Sequence, residues 1–198
     1  MSVPIDDAVA AALRGQLIVI PTDTIYGIGT SPDAPEATGR LFEAKGRPRD
    51  LEIPVLVASA AAARRIAQFD PRAERIAGRA WPGPLTLVLP RTRNSAAWDL
   101  GGDGRTIGVR IPHHPLALAV LARTGPLAVT SANRSGEATP EDCDGVVDAF
   151  GDAVAVYLCE ESPLAARPST VVDLAHGEAR ILRIGAVGEP DVEALLAD

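Results

Sequence analysis

The sequence predicts an α/β protein, because short apolar runs alternate along the chain with segments of helical periodicity. Hydrophobic residues make up 46% and charged residues 23% of the 198 residues, a balance that allows a packed core. The 18 glycines and 17 prolines occur mostly singly, which is typical of many short elements separated by turns. We therefore expect one compact domain over residues 1–198.

Apolar runs bounded by turn residues predict strands at residues 17–20, 54–58, 85–90, 106–111, 127–130, 153–158, 170–174 and 179–183. Helical patterns predict helices at residues 6–14, 33–45, 59–67, 71–80, 115–123 and 191–196, and another that begins near residue 140. Asp33, Asp70 and Thr139 are the predicted N-caps of the second, fourth and sixth helices. In the second helix, Pro35 takes the first turn and Glu36 is expected to reach back to the cap.

Bulk features disfavour several classes of protein. The residues 1–7 do not resemble an export signal, and no run of about 18 apolar residues exists, so a cytoplasmic location without membrane insertion is expected. Cys143 and Cys159 lack metal-ligand spacing and are expected to be reduced thiols. The net charge of −7 disfavours a protein that coats nucleic acid.

Polar residues lie where several predicted strands end, and chemistry often takes place at such positions. The segment from Thr22 to Gly29 places hydroxyls and the Asp23 carboxylate beside glycines that allow close approach of a ligand. Ser131-Ala132-Asn133 follows another strand, and Ser169 and Arg183 lie at strand ends near the C-terminus. His113, His114 and His176 fall in predicted turns, which favours surface positions.

Basic residues supply two candidate anion sites, each with a structural alternative. Lys45, Arg47 and Arg49 follow a predicted helix, where cations also complement the helix dipole. Arg110 shares one face of its strand with Thr106 and suits a carboxylate or phosphate, but it equally suits a protein acid. Residue patterns alone leave both alternatives open.

Taken together, these segments resemble the YrdC family of L-threonylcarbamoyladenylate synthases. The family motif is lysine-x-arginine followed far downstream by serine-x-asparagine, which here corresponds to Lys45-Gly46-Arg47 and Ser131-Ala132-Asn133. Further similar segments lie in the same order at residues 21–27, 81–86, 109–112 and 168–173. The resemblance covers residues 17–185.

This resemblance implies a twisted, mostly mixed open sheet with helices packed around it and a concave polar face. It also implies an enzyme that condenses L-threonine, bicarbonate and ATP into threonylcarbamoyl-AMP and pyrophosphate, for threonylcarbamoyladenosine modification of tRNA. Magnesium is expected to arrive with ATP and to need no direct protein ligand, since it keeps several waters; Asp23 is a candidate for a water-mediated contact. Binding of tRNA is expected only indirectly, through a downstream transfer complex.

The same resemblance implies roles for individual residues. Lys45 and Arg47 are the catalytic candidates. The implied ATP contacts are Arg47, Thr106, Asn133 and Arg183. The implied threonine contacts are Thr24, Arg110, Ser131 and Ser169.

The sequence departs from the family pattern after Pro48, where many relatives carry lysine or asparagine and then proline. This chain has Leu51-Glu52 before Ile53-Pro54, so one expected phosphate-side contact is missing. Two alternatives stay open: a carbamoyl-adenylating relative, like the core of hydrogenase-maturation carbamoyltransferases, and a non-catalytic RNA-binding or ribosome-assembly protein of the same fold. The lack of CxxC pairs disfavours the first alternative, and the net charge disfavours the second.

Overall fold

The computed structural model describes residues 5–164 and 167–197, which form a nine-stranded sheet and seven α-helices. The strands are β1 (Ile18–Ile20), β2 (Gly27–Thr30), β3 (Val55–Leu56), β4 (Leu85–Pro90), β5 (Thr106–Arg110), β6 (Leu127–Ser131), β7 (Val156–Tyr157), β8 (Thr170–Asp173) and β9 (Arg180–Arg183). The helices are α1 (Ile5–Leu13), α2 (Pro35–Lys45), α3 (Ala60–Ile66), α4 (Pro71–Ala80), α5 (Pro115–Thr124), α6 (Cys143–Phe150) and α7 (Glu189–Ala197). None of these helices is long and apolar enough to cross a membrane.

The sheet is mixed, with the strand order β7-β1-β2-β6-β3-β5-β4-β8-β9. The pairs β1–β7, β3–β5 and β4–β8 are parallel, and the other neighbouring pairs are antiparallel. This arrangement confirms the predicted α/β class with a mixed sheet. The alternation predicted for β5 is also confirmed, because Ile107 and Val109 are fully buried while Thr106, Gly108 and Arg110 line a cavity on the opposite face.

One face of the sheet packs against the main hydrophobic core. Val55, Ala128, Val109, Leu87 and Val172 lie side by side across five strands, and all are fully buried. Apolar residues of five helices complete this core, among them Leu41, Ile66, Ile76, Phe150 and Val192. Because side chains alternate along a strand, the residues next to these five in each strand point to the opposite face of the sheet.

The opposite face is covered by helices at one end only. Ala8 and Ala12 of α1 and Val120 of α5 pack against β1 and β6 in a second core cluster. Leu56 and Val129 belong both to this cluster and to the wall of the cavity, so they mark where the helical cover ends. Beyond them, the side chains of β3, β4, β5 and β8 on this face line the cavity.

Three local predictions differ from the structure. No strand is predicted in the glycine-rich segment after Tyr26, but it forms strand β2 between β1 and β6. Asp33 is the predicted cap of helix α2, but the residue that precedes the helix is Ala34, which provides no side-chain cap. The Asp33 carboxylate accepts a hydrogen bond from Trp98 Nε1 instead. Helix α6 begins at Cys143 with Asp142 as its cap, so Thr139 does not cap it.

The expectation of two reduced thiols was wrong for this structure, which joins Cys143 and Cys159 in a disulfide with a Cα–Cα distance of 5.5 Å. Cys143 is the first residue of α6, and Cys159 follows β7. The crosslink lies beside the cavity, since the next residue, Glu160, donates its backbone N–H to the hydroxyl of Tyr26, 3.0 Å away. Sequence spacing of 16 residues gave no sign of this pairing.

The disulfide is expected to stabilise the folded chain. A crosslink that closes a loop of this length stabilises a protein by about 3 kcal/mol through loss of chain entropy in the unfolded state. Reduction should therefore lower the midpoint of chemical denaturation in the native protein. The double variant Cys143→Ser/Cys159→Ser should be equally destabilised and should not respond to reductant. Two titratable thiols in the unreduced, unfolded protein would contradict the crosslink.

Candidate functional site

A cavity of about 460 Å³ lies on the sheet face that α1 and α5 leave uncovered. Seven of the nine residues predicted from the sequence line it. They are Thr24, Arg47, Thr106, Arg110, Ser131, Ser169 and Arg183. Strand register brings distant segments together here: Gly108 of β5 pairs with Val88 of β4, and Asp173 of β8 follows in the same row. The cavity is therefore lined by strands that are distant from one another in the sequence.

Lys45 and Asn133, the remaining two predicted residues, bind each other behind the cavity wall. The Lys45 ammonium donates to the carbonyl oxygens of Ser131 and Asn133, both 2.5 Å away, and to Asn133 Oδ1 at 3.3 Å. Asn133 Nδ2 donates to the carbonyl oxygens of Arg134 and Glu137. Lys45 therefore holds the backbone that presents Ser131 to the cavity; direct roles for Lys45 and Asn133 stay predictions.

At one end of the cavity lies the buried guanidinium of Arg110. Its Nε donates to the carbonyl oxygen of Gly83, Nη1 donates to Thr24 Oγ1 at 3.0 Å, and Nη2 forms an ion pair with Asp23. Asp23 is therefore the partner of Arg110, and it is not among the lining residues of the cavity. The structural alternative for Arg110, a protein acid as partner, is thus realised; because Arg110 also lines the cavity, its role as a substrate contact stays a prediction.

A second pair of hydroxyls lies beside this end. Thr86 Oγ1 and Ser169 Oγ are 2.9 Å apart, and both residues line the cavity. Arg183 Nη2 donates to the Ser169 carbonyl oxygen at 2.8 Å and contacts Ser169 Oγ at 3.2 Å. Hydrogen bonds therefore connect Arg183 to the hydroxyl pair of Thr86 and Ser169.

Arg47 and Arg183 place two positive charges along the cavity. Burial lowers the pKa of both, and the proximity of Arg183 lowers the pKa of Arg47 further. Arg47 donates to the carbonyl oxygens of Leu51 and Glu52. Among the residues that the structure describes, neither guanidinium forms a salt bridge, so a bound anion would relieve both their desolvation and their repulsion.

Carboxylates gather at the other end, around Thr106. Glu52 forms an ion pair of 3.0 Å with the buried Arg91, and Thr106 Oγ1 donates to Glu52 Oε2 at 3.3 Å. Burial raises the pKa of Glu52, and the hydrogen bond from Arg91 opposes this rise. Asp103, which raises the pKa of Glu52 further, also lines this end. Carboxylates are therefore concentrated near Thr106, where Arg47 also contacts the backbone of Glu52.

Several lining residues were not predicted as site residues. Thr86 has a readable signal, because Leu85, Leu87 and Leu89 alternate with it along β4. Asp173 lies two positions after Val171 in β8 and four positions after Ser169, so alternation predicts that it shares their face of the sheet. Glu52 and Arg91 have no local signal, since their pairing joins residues 39 positions apart.

Of the three histidines, only His114 differs from the predicted surface position, since 56% of the His176 side chain is exposed. His114 is largely buried beside Glu160, and burial lowers its pKa. His176 lines the cavity, with Nδ1 2.8 Å from Asp173 Oδ2. His113 is exposed, as predicted.

Comparisons with known proteins show a family match and several similar proteins. The Sua5/yciO/yrdC family model, described as telomere recombination, matches residues 10–185. A relative from Mycobacterium tuberculosis is 41% identical over 96% of this chain and 87% of its own length. A Shigella boydii protein named threonylcarbamoyl-AMP synthase is 35% identical, over 87% of this chain and 94% of its own.

Among solved structures, Pyrococcus abyssi Sua5 complexed with L-threonine superposes with a TM-score of 0.87. The two sequences are 32% identical, and the match spans 97% of this chain and 57% of the longer Pyrococcus chain. The similarity therefore extends over almost all of the present fold.

Lys45 predicts a pH dependence of ATP binding. Its burial and the nearby Arg47 lower the pKa of Lys45 to about 7, so it loses its charge as the pH rises through neutrality. A bound polyanion favours the charged form. If bound ATP keeps Lys45 protonated from pH 6 to pH 8, affinity should fall about tenfold over that range.

Calorimetric titration with a non-hydrolysable ATP analogue and magnesium measures this dependence directly. Lys45→Arg is the matched control, because an arginine keeps its charge throughout and should flatten the profile. An equal decline in wild type and control would show that Lys45 is not the responsible group.

Proposed function

The chain belongs to the Sua5/YciO/YrdC family, and on that premise we propose that its cavity condenses L-threonine, bicarbonate and ATP into threonylcarbamoyl-AMP and pyrophosphate. The main supporting observation is the arrangement on one sheet face of a hydroxyl-lined arginine next to two arginines without salt-bridge partners among the described residues. This arrangement suits an amino acid beside a triphosphate. The reaction class is nucleotidyl transfer.

Threonine is proposed to bind at the Arg110 end. A guanidinium has five N–H donors, and the contacts to Gly83, Thr24 and Asp23 use three of them. The other two are available to a carboxylate, which an arginine binds well in a bidentate manner. Thr24, Ser131 and Ser169 supply hydroxyls for the substrate's amine, hydroxyl or carbamate.

The triphosphate is proposed to lie along Arg47 and Arg183. Charge-assisted hydrogen bonds from partly desolvated guanidiniums are strong, and donors placed before binding need little reorganisation. Arg47 follows α2 directly, while Arg183 ends β9, so binding would connect two distant parts of the chain. Thr106 and Asn133 complete the predicted ATP contacts.

The chemistry needs no protein nucleophile. The amine of threonine attacks bicarbonate with loss of water, or attacks the carbon dioxide derived from it with loss of a proton from nitrogen, and a carbamate forms. A carbamate oxygen then attacks the α-phosphorus of ATP, and the bond to the β-phosphate oxygen breaks to release pyrophosphate. The protein contributes by holding the two substrates in line and by stabilising negative charge with Arg47 and Arg183.

Magnesium is proposed to enter with the triphosphate. Within residues 5–164 and 167–197, no group of three or more histidine, cysteine, aspartate or glutamate residues is arranged to hold a metal ion. We propose an ion bound mainly by phosphate oxygens and water, with Asp50, a lining carboxylate beside Arg47, able to reach its waters. The ion would neutralise phosphate charge during transfer.

The product is proposed to supply the threonylcarbamoyl group for modification of tRNA adenosine, in the cytoplasm. Threonylcarbamoyl-AMP is a mixed anhydride, so a downstream transferase would consume it. Contact of this chain with tRNA itself is not required, which is consistent with its net charge of −7.

Pyrophosphate release by the purified protein tests this function. With ATP and magnesium, release should require both threonine and bicarbonate, and the product should have the mass of threonylcarbamoyl-AMP. Serine and carbamoyl phosphate are the alternative donors to include. Dependence on carbamoyl phosphate in place of threonine and bicarbonate would assign the chain to the carbamoyl-adenylating relatives, and no turnover with any donor would favour a binding role.

Replacement of Arg110 should weaken binding of threonine, and replacement of Arg183 should weaken binding of ATP. Arg110→Lys keeps a charge beside Asp23 but loses the two-pronged geometry, so we expect KM for threonine to rise about tenfold or more with little change in KM for ATP. Arg183→Lys should have the opposite effect. Thermal unfolding of both variants checks their folding, and a reversed pattern would show that the two substrate positions are exchanged.

A further inference from the structure

Glu52 poses a physical problem for a site that binds a polyanion. Its carboxylate lines the cavity, and only 18% of its side chain is exposed. Burial of a charge is costly unless the group is paired and hydrogen-bonded. A carboxylate directed at phosphates would also weaken their binding. Its presence therefore needs an explanation beyond the phosphate contacts.

Pairing with Arg91 explains how Glu52 is tolerated. Arg91 is 7% exposed, and its guanidinium donates to the carbonyl oxygens of Thr106 and Trp98 as well as to Glu52. This network neutralises the charge of Glu52 and fixes its position. The Glu52 carboxylate can also accept further hydrogen bonds, because a carboxylate offers about four acceptor sites and the contacts to Arg91 and Thr106 occupy two.

The position of Glu52 along the sheet separates it from the proposed threonine site. Glu52 contacts Thr106 at the start of β5, and Arg110 is at the end of that strand. Four residues of extended strand span about 13 Å. The neighbouring lining residues Leu51, Pro54, Val88 and Gly108 are apolar or lack a side chain, which suits the flat face of a nucleobase.

We propose that Glu52 accepts a hydrogen bond from a ribose hydroxyl of ATP and thereby sets the direction in which the nucleotide binds. This inference rests on the proposed function. Ribose hydroxyls are uncharged donors, and carboxylates bind them in other nucleotide sites. With the ribose held at Glu52, the triphosphate extends along the guanidiniums of Arg47, which contacts the Glu52 backbone, and of Arg183. The departure at Leu51-Glu52 thus replaces a phosphate contact with a sugar contact.

Deoxynucleotides test the proposal on the unmodified protein. Dissociation constants for ATP, 2′-deoxy-ATP and 3′-deoxy-ATP are measured by calorimetry with magnesium, and kcat/KM is measured by pyrophosphate release. A hydrogen bond to a charged group implies about tenfold weaker binding of at least one deoxynucleotide. Equal affinity for all three nucleotides would overturn the proposal without any variant.

Variants assign the discrimination to Glu52. Glu52→Gln keeps an acceptor for Arg91 and should reduce the preference for ATP over the discriminated analogue at least threefold, whereas Glu52→Ala should abolish it. The control is Glu74→Gln, which removes the charge from a carboxylate–arginine pair outside the cavity, Glu74–Arg64. If Glu52→Ala does not fold, Glu52→Gln decides. An unchanged preference in Glu52→Gln would leave Glu52 only the role of a counter-ion for Arg91.

The calorimetric comparison also distinguishes failure of this proposal from failure of the proposed function. Ribose discrimination without threonine-dependent turnover would refute the function but keep the nucleotide orientation. Threonine-dependent turnover without discrimination would keep the function and refute the role of Glu52.

Discussion

Alternation of side chains across the sheet is the constraint on which the site depends. Val55, Ala128, Val109, Leu87 and Val172 must face the main core, so their neighbours along each strand must face the other way. Because α1 and α5 cover only one end of that second face, these neighbours line an open cavity. A slip of one residue in β5 would bury Thr106 and Arg110 in the core and would expose Ile107 and Val109.

The order of charges along the cavity follows from the same register. Arg110 donates to Thr24 at one end of β5, whereas Thr106 contacts Glu52 at the other. Arg183 lies close enough to Arg47 and to Arg110 to lower the pKa of both. The Arg110 end is therefore lined by hydroxyls and cations, and the Thr106 end carries carboxylates beside the Arg47 guanidinium. A molecule that carries its negative charge near one end binds such an uneven distribution of charge in one preferred orientation.

The features that could be predicted from sequence are those governed by nearby residues. The limits of α4 and its Asp70 cap follow from local hydrogen bonding, and β5 follows from an alternation of five residues. Strand β2 was missed because glycines hide its pattern; Gly29 is required there by the approach of Ala128 and Val129. The Glu52–Arg91 pair and the disulfide depend on long-range packing, which no local pattern encodes. Most site residues were found only because family motifs mark them.

Lys45 shows how a structural and a functional explanation can be separated. As the last residue of α2, Lys45 is placed to complement the helix dipole, which is the structural alternative that the sequence leaves open. The ammonium contacts Ser131 and Asn133, 86 and 88 residues away, and only 2% of the residue is exposed. Dipole stabilisation is available to an exposed lysine and does not require this burial. The burial of Lys45 is instead accounted for by its hydrogen bonds to the Ser131–Asn133 backbone, which join the two family motifs directly.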